Sequence, residues 1–286
     1  MKRILTAMFV LAACGSEAEA ASSVWKAEKE GTVVYIGGTC HFLREKDLPC
    51  PPEFDRAYTA ADLVVFETDL GKLQSPEIRN LVMAKAVYAD GSTLDKHLSA
   101  PAYDALAAYC ASNGIPIAQL AQFRPSFVMT ALTAAELARM GATGTGVDLI
   151  HYERARKDGK PIEELETIEE QIEAVMSMSD GIENDFVLQS LRDMHKAREQ
   201  IETMLAAWRK GDMDSLGDLL VRELKEKAPQ VYRRMIVDRN EKWLARIEAY
   251  RKTPRVEFVL VGAGHLAGPD SVLQSLRKRG YTVTPL

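Results

Sequence analysis

Short apolar runs alternate with longer amphipathic stretches along this chain. Thr32-Val33-Val34-Tyr35-Ile36, Leu63-Val64-Val65-Phe66 and Val256-Glu257-Phe258-Val259-Leu260-Val261 are rich in β-branched and aromatic residues. Such runs predict strands buried on both faces, as in a sheet flanked by helices. Tyr281-Thr282-Val283-Thr284 predicts a last short strand. Between these runs the spacing becomes helical. One helix is expected from Ser99, with Pro101 in its first turn, to Gly114. Others are expected from Ser126 to Met140, stopped by Gly141, and from Pro269 to Lys278, closed by Gly280.

From about residue 165 to 251 the pattern changes. β-branched runs nearly vanish, and Leu188, Leu191, Met194, Ile201, Met204, Leu205 and Trp208 recur at helical spacing. This predicts several long amphipathic helices packed on one another. A strand–helix alternation interrupted by such a block predicts an α/β domain over 24–286, with a central, mostly parallel sheet and a large helical insertion. The 286 residues are 47% hydrophobic, which is ample for a sizeable core. A formal charge of −5 does not suggest a nucleic-acid-binding surface.

Residues 1–23 read as a signal peptide and tether. Met1-Lys2-Arg3 precedes an apolar run, Ile4 to Ala13, as in a secretory leader. The run is shorter than the ~20 residues that span a bilayer. Two processing routes stand open. Leu11-Ala12-Ala13-Cys14 fits a bacterial lipobox, which would put lipid on Cys14 and anchor the protein in a membrane. Ala18-Glu19-Ala20 fits ordinary cleavage. Both imply export from the cytoplasm, giving a periplasmic protein or an outer-membrane-anchored lipoprotein of a bacterium. In an oxidising compartment Cys40 and Cys50, which flank a proline-rich loop, either pair or leave Cys40 free. Cys110, on a predicted helix, reads as a small buried hydrophobe.

The candidate chemistry lies at strand ends. Gly38-Thr39-Cys40-His41 and Gly262-Ala263-Gly264-His265 are two G-x-x-H segments, each following a predicted strand. With 18 glycines and 5 histidines in the chain, chance spacing gives fewer than one. Sites in open α/β sheets form outside the carboxyl ends of strands, so both imidazoles are candidates for one crevice. Glu67 ends a third strand and supplies a carboxylate. Two histidines and a carboxylate are a common set for a first-row metal that activates water. No H-E-x-x-H zinc motif and no G-x-S-x-G elbow is present.

These segments, together with Phe66-Glu67, Gly146-Val147-Asp148, Leu165-Glu166-Thr167 and Arg239-Asn240-Glu241-Lys242-Trp243, resemble in order the TraB/GumN (Tiki-like) family. The resemblance covers essentially the whole chain after the leader. It implies an α/β fold related to erythromycin esterase and to the haem-binding lipoprotein ChaN. It also implies a metal-dependent peptidase that uses both G-x-x-H histidines and a glutamate. Carried onto this chain, His41 and His265 are the expected ligands of a divalent ion (Mn, Co or Zn), with Glu67 as ligand or base. Arg239 is expected to steady an oxyanion or bind a substrate carboxylate, and Asn240 to bridge to metal-bound water. Asp148 and Glu166 are expected to orient the histidines. Cys40 departs from the family pattern, where an aliphatic residue is usual. The resemblance thus implies an envelope hydrolase acting on a peptide or small molecule. A metal-independent His/Glu hydrolase and a haem- or metal-binding lipoprotein without catalysis are the alternatives.

Overall fold

A computed structural model describes residues 22–142 and 145–286. Residues 1–21, on which the expected leader, Cys14 and both expected processing sites fall, lie outside the described residues. The expected tether is shorter than predicted, because Ser22 and Ser23 are already buried and hydrogen-bonded to Glu53. Among the described residues no helix is long and apolar enough to cross a membrane.

Six strands form one sheet: β1 (Val24–Lys29), β2 (Thr32–Thr39), β3 (Leu63–Phe66), β4 (Ile162–Glu164), β5 (Glu257–Gly262) and β6 (Thr282–Pro285). Their order in space is β4-β3-β5-β2-β1-β6. The run β4-β3-β5-β2 is parallel, whereas β1 is antiparallel to both β2 and β6. The sheet is therefore mixed, and the expected parallel arrangement holds only for its site-bearing part. The departure begins at the β1–β2 hairpin. Glu30 and Gly31 have φ of 51° and 83°, the pair of left-handed residues that a tight hairpin with right-handed strand twist requires. Neither β1 nor β4 was expected from the sequence.

Strand residues alternate between two cores. Val64, Phe66, Phe258 and Leu260 point to one face and pack with Phe54, Tyr58 and Trp208. Leu63, Val65, Val259 and Val261 point to the other and pack with Trp243, Leu244 and Ile247. This is the period-two division of a strand buried on both sides.

The insertion at about 165–251 is helical as expected, but it has a second contributor. Helices Ala100–Ser112 and Pro125–Arg139, both expected from the sequence, pack on the long helix Glu183–Lys210. Leu106, Cys110, Val128, Leu132, Val187 and Leu191 form their own core there. The helical lobe is thus built from two insertions, one before β4 and one after it. The long helix ties the lobe to the sheet. Trp208, near its end, donates its indole N–H to the Gly38 carbonyl at 2.7 Å. Gly211 closes the helix at φ 65°, and a Cβ there would fall 2.1 Å from the Ser22 nitrogen.

Candidate active site

The parallel strands β2, β3, β4 and β5 end on the same edge of the sheet, and four expected residues lie just beyond those ends. His41 follows β2, Glu67 follows β3, Glu166 follows β4 and His265 follows β5. The ladder registers Thr39 with Gly262, and Glu166 donates its backbone N–H to the Glu67 carbonyl at 2.9 Å. Helix Asp238–Ala249 adds Arg239, Asn240 and Trp243, which share a helix face at spacings of one and four. A Cβ built on Gly262 would lie 3.4 Å from Glu67 Oε1, 3.4 Å from His41 Nε2 and 3.7 Å from His265 Cδ2. The two histidines and the glutamate therefore converge over one glycine, as the paired motifs imply.

Arg239 is the centre of the buried part. Its Nη2 donates to Glu67 Oε2 at 2.7 Å and to Glu166 Oε1 at 2.6 Å. Nε donates to Glu166 at 3.1 and 3.2 Å, and Nη1 reaches the Met235 carbonyl at 3.3 Å and His265 Nε2 at 3.1 Å. All five guanidinium N–H groups are engaged. The expected role in steadying an oxyanion is corrected accordingly: Arg239 has no donor left for substrate and acts as the counter-charge of two buried carboxylates. Glu166 likewise holds Arg239 and the Trp243 indole, at 3.1 Å, rather than a histidine.

The tautomer of His265 follows from its neighbours. Asn240 Nδ2 faces two acceptors, the carbonyls of Asp270 at 2.9 Å and His265 at 3.4 Å, so Asn240 Oδ1 faces the imidazole. His265 Nδ1 then donates to that oxygen at 2.7 Å, and Nε2 accepts from Arg239. Burial, with Arg239 beside it, lowers the His265 pKa to about 3, so the ring is neutral. Asn240 therefore orients His265. Burial alone would raise the pKa of Glu67. Arg239, the His41 imidazolium and the Gly262 N–H (2.7 Å from Oε1) outweigh it and bring the carboxyl down to about 2.

His41 is different. Its Nδ1 donates to Asp148 Oδ2 at 2.8 Å, in the orienting role expected of Asp148. Asp148 reaches it from the first turn of helix Val147–Asp158 and not from the end of a strand. The charge of Asp148 is the main reason that the imidazole pKa rises to about 9. The side chain is 54% exposed, standing at the wall of an open cavity, and Nε2 has no hydrogen bond to any described residue. Gly146 makes the approach of this loop possible, since a Cβ there would lie 2.4 Å from the His41 carbonyl oxygen. We expect Gly146→Ala to shift the His41 backbone and to lower stability by about 1–3 kcal/mol, the usual cost of overpacking, measured as a drop in urea midpoint at unchanged slope.

Cys40 and Cys50 are free thiols, the second of the two alternatives that the sequence left open. Both pack as apolar groups in one core, and burial raises both thiol pKa values. Ion pairs brace the loop between them instead. Arg44 bridges Asp47 and Glu202, and Arg209 donates to the carbonyls of Asp47 and Pro49.

The family model described as TraB/PrgY/gumN family matches residues 23–285. The chain belongs to the TraB/PrgY/gumN family. No curated protein and no solved structure matches. Three residues of the site were given no role from the sequence, although Gly146 and Trp243 stand in the segments that carry the resemblance. Gln171 donates to Glu67 Oε2 at 3.2 Å. Trp243 lies under both His265, with ring centroids 4.4 Å apart, and the Arg239 guanidinium, 4.6 Å from the ring. Its position four residues after Arg239 was the available signal. Gly146 was marked only by its place in the Gly146-Val147-Asp148 segment.

The metal set that the resemblance implies does not fit this arrangement. Among the described residues no three His, Cys, Asp or Glu side chains are placed to hold an ion. His265 Nε2 already accepts from Arg239, and Glu67 already accepts three N–H groups. A guanidinium stands where a metal would need to meet both of them.

Proposed function

We propose that the chain hydrolyses a carboxylic ester or amide with His41 and Asp148 as its acid–base pair and without a metal in the chemical step. The observation that carries this reading is the contrast between the two histidines. His265 is buried, neutral and saturated, whereas His41 is oriented by a carboxylate and presents a free Nε2 to an open cavity beside Glu67. In the step proposed, water gives a proton to His41 Nε2 and its oxygen attacks the carbonyl carbon. The C–O or C–N bond then breaks as His41 returns the proton to the leaving alcohol or amine. Asp148 and Glu67 favour the imidazolium formed between them. Glu67, Arg239, Glu166 and His265 act as a rigid charged floor. Peptide bonds belong to the amide class, so the peptidase reading is contained in this one. The parallel strand ends that carry the site support kinship with the sheet of erythromycin esterase and ChaN. Location in the cell envelope, free or lipid-anchored, is proposed from the leader alone.

The test is hydrolysis of p-nitrophenyl acetate and of a peptide library by the purified chain, with and without EDTA. Activity is expected to survive chelation, and His41→Ala is expected to lower kcat/KM by about 10²–10⁴-fold. Loss of activity on chelation, with recovery on Mn, Co or Zn, would replace this reading by the metal-dependent one. One haem per chain and no turnover would replace it by a binding function.

A further inference from the structure

We propose that the cavity beside His41 is an acyl-chain site that takes one long, flexible hydrocarbon chain, with its carbonyl head against Thr39 and His41. The inference rests on the hydrolase reading only for the fate of that head. The cavity measures about 650 Å³ and runs between the strand ends and the helical lobe. That volume suits an enclosed small molecule, for which sites of roughly 300–1,000 Å³ are usual.

Its walls decide the chemistry of the occupant. Met140, Met194, Met204, Leu219, Leu220 and Ile236 supply a lining of flexible aliphatic and thioether side chains. Such chains conform to an occupant that itself has many rotamers. Apart from the two histidines, the aromatic ring in the wall is Phe42, which is 39% exposed, so the lining offers no buried Phe, Tyr or Trp face for a ring or base. The charged wall residues are already engaged: Arg44 with Asp47 and Glu202, Glu136 with Arg139, Asp193 with Gln189, and Arg239 with both glutamates. His41 Nε2 is the group left open. One polar head and an uncharged tail match that count. Two π-helical turns, Asp218–Arg222 and Arg233–Val237, carry Leu219, Leu220 and Ile236 into the wall, and such turns recur at functional sites.

A second observation points to the head group. Thr39 belongs to the cavity wall two residues before His41 and is 2% exposed, and its hydroxyl has no hydrogen-bond partner among the described residues. A buried hydroxyl left unpaired is costly, and a ligand carbonyl or carboxylate would satisfy it.

The test is calorimetric titration of the full chain with octanoate, dodecanoate and hexadecanoate below their micellar concentrations, followed by assay of the p-nitrophenyl esters of the same acids. We expect one equivalent per chain. Affinity should rise about fourfold per CH₂, the factor that about 0.8 kcal/mol per buried CH₂ corresponds to, until the cavity is full. Met204→Trp should weaken hexadecanoate at least about tenfold and move the preferred chain length downward, whereas Met204→Leu should not. Ile201→Phe serves if the tryptophan variant fails to fold. Equal affinity for octanoate and hexadecanoate, no saturable binding, or a folded Met204→Trp with unchanged affinity would overturn the proposal. So would haem displacing dodecanoate. Chain-length-dependent binding without ester cleavage supports the acyl site and removes the hydrolase reading. Cleavage indifferent to chain length does the reverse.

Discussion

Replacing Arg239 by methionine is expected to destabilise the fold by about 3–5 kcal/mol, the range for a buried ion pair that loses one partner. Glu67 and Glu166 are 6% and 3% exposed, and Arg239 is the cation that contacts both. Without it, two buried carboxylates about one hydrogen-bond length from the position of the lost guanidinium face each other with no cation between them. One of them must take a proton or draw water in. His265 Nε2 and the Met235 carbonyl lose their donor as well. Arg239→Lys should recover only part of the loss, because an ammonium has three donors and no planar fork for these five contacts. The triple variant Arg239→Met, Glu67→Gln, Glu166→Gln should be more stable than Arg239→Met alone, since it removes the uncompensated charge. Urea denaturation at constant slope measures all three. An Arg239→Met protein within about 1 kcal/mol of wild type would mean that the cluster is solvated, and the rigid-floor reading would fall.

How much of this was legible in the sequence depends on how local the signal is. Strands β2, β3 and β5 were visible because each is a run of apolar residues long enough to be buried on both faces. The strand-end residues His41, Glu67 and His265 were visible because a G-x-x-H after such a run is a local pattern. β4 is three residues, Ile162–Glu164, two of them glutamate, so neither length nor apolar character announced it. β1 carries Trp25, Ala27 and lysines in a weak alternation that only the Glu30–Gly31 turn fixes as a strand.

Roles proved harder to see than positions. That Arg239 faces the site follows from its motif. That all five of its donors are used depends on Glu67, Glu166 and His265, which three separate strand ends deliver, and no spacing within the chain encodes that. The Cys40–Cys50 separation suggested a ring by proximity in sequence. Ion pairs of Arg44 and hydrogen bonds from Arg209 supply the brace instead, through Glu202 and carbonyls that local reading cannot pair. The helices at 100–112 and 125–139 were found, but their partner, the long helix Glu183–Lys210, lies far along the chain, so local spacing did not name it.

Asp148→Asn should separate catalysis by His41 from a merely structural role, because it changes the pH dependence in a direction that can be worked out. In the wild type the Asp148 charge holds the His41 pKa at about 9. The base form is then scarce at neutral pH, and kcat/KM should climb with pH to a plateau above about 9. The same pairing stabilises the fold fully below the ordinary histidine pKa of about 6.5, and that contribution fades as pH rises through about 9. Asparagine still accepts from His41 Nδ1–H but carries no charge, so the imidazole pKa should fall toward about 6.5 and the plateau should begin there. The plateau itself should be lower, by about 10²-fold, since no carboxylate behind Nδ1 favours the imidazolium formed in the step. The variant-to-wild-type ratio of kcat/KM should therefore drop by roughly two orders of magnitude between pH 6 and pH 10, following the separation of the two pKa values. NMR titration of the His41 ring gives those values independently of rate. A uniform loss of activity with the rate limb still near pH 9 would assign the limb to another group. His41 would then be a positioning residue, and the base of the reaction would have to be sought at Glu67.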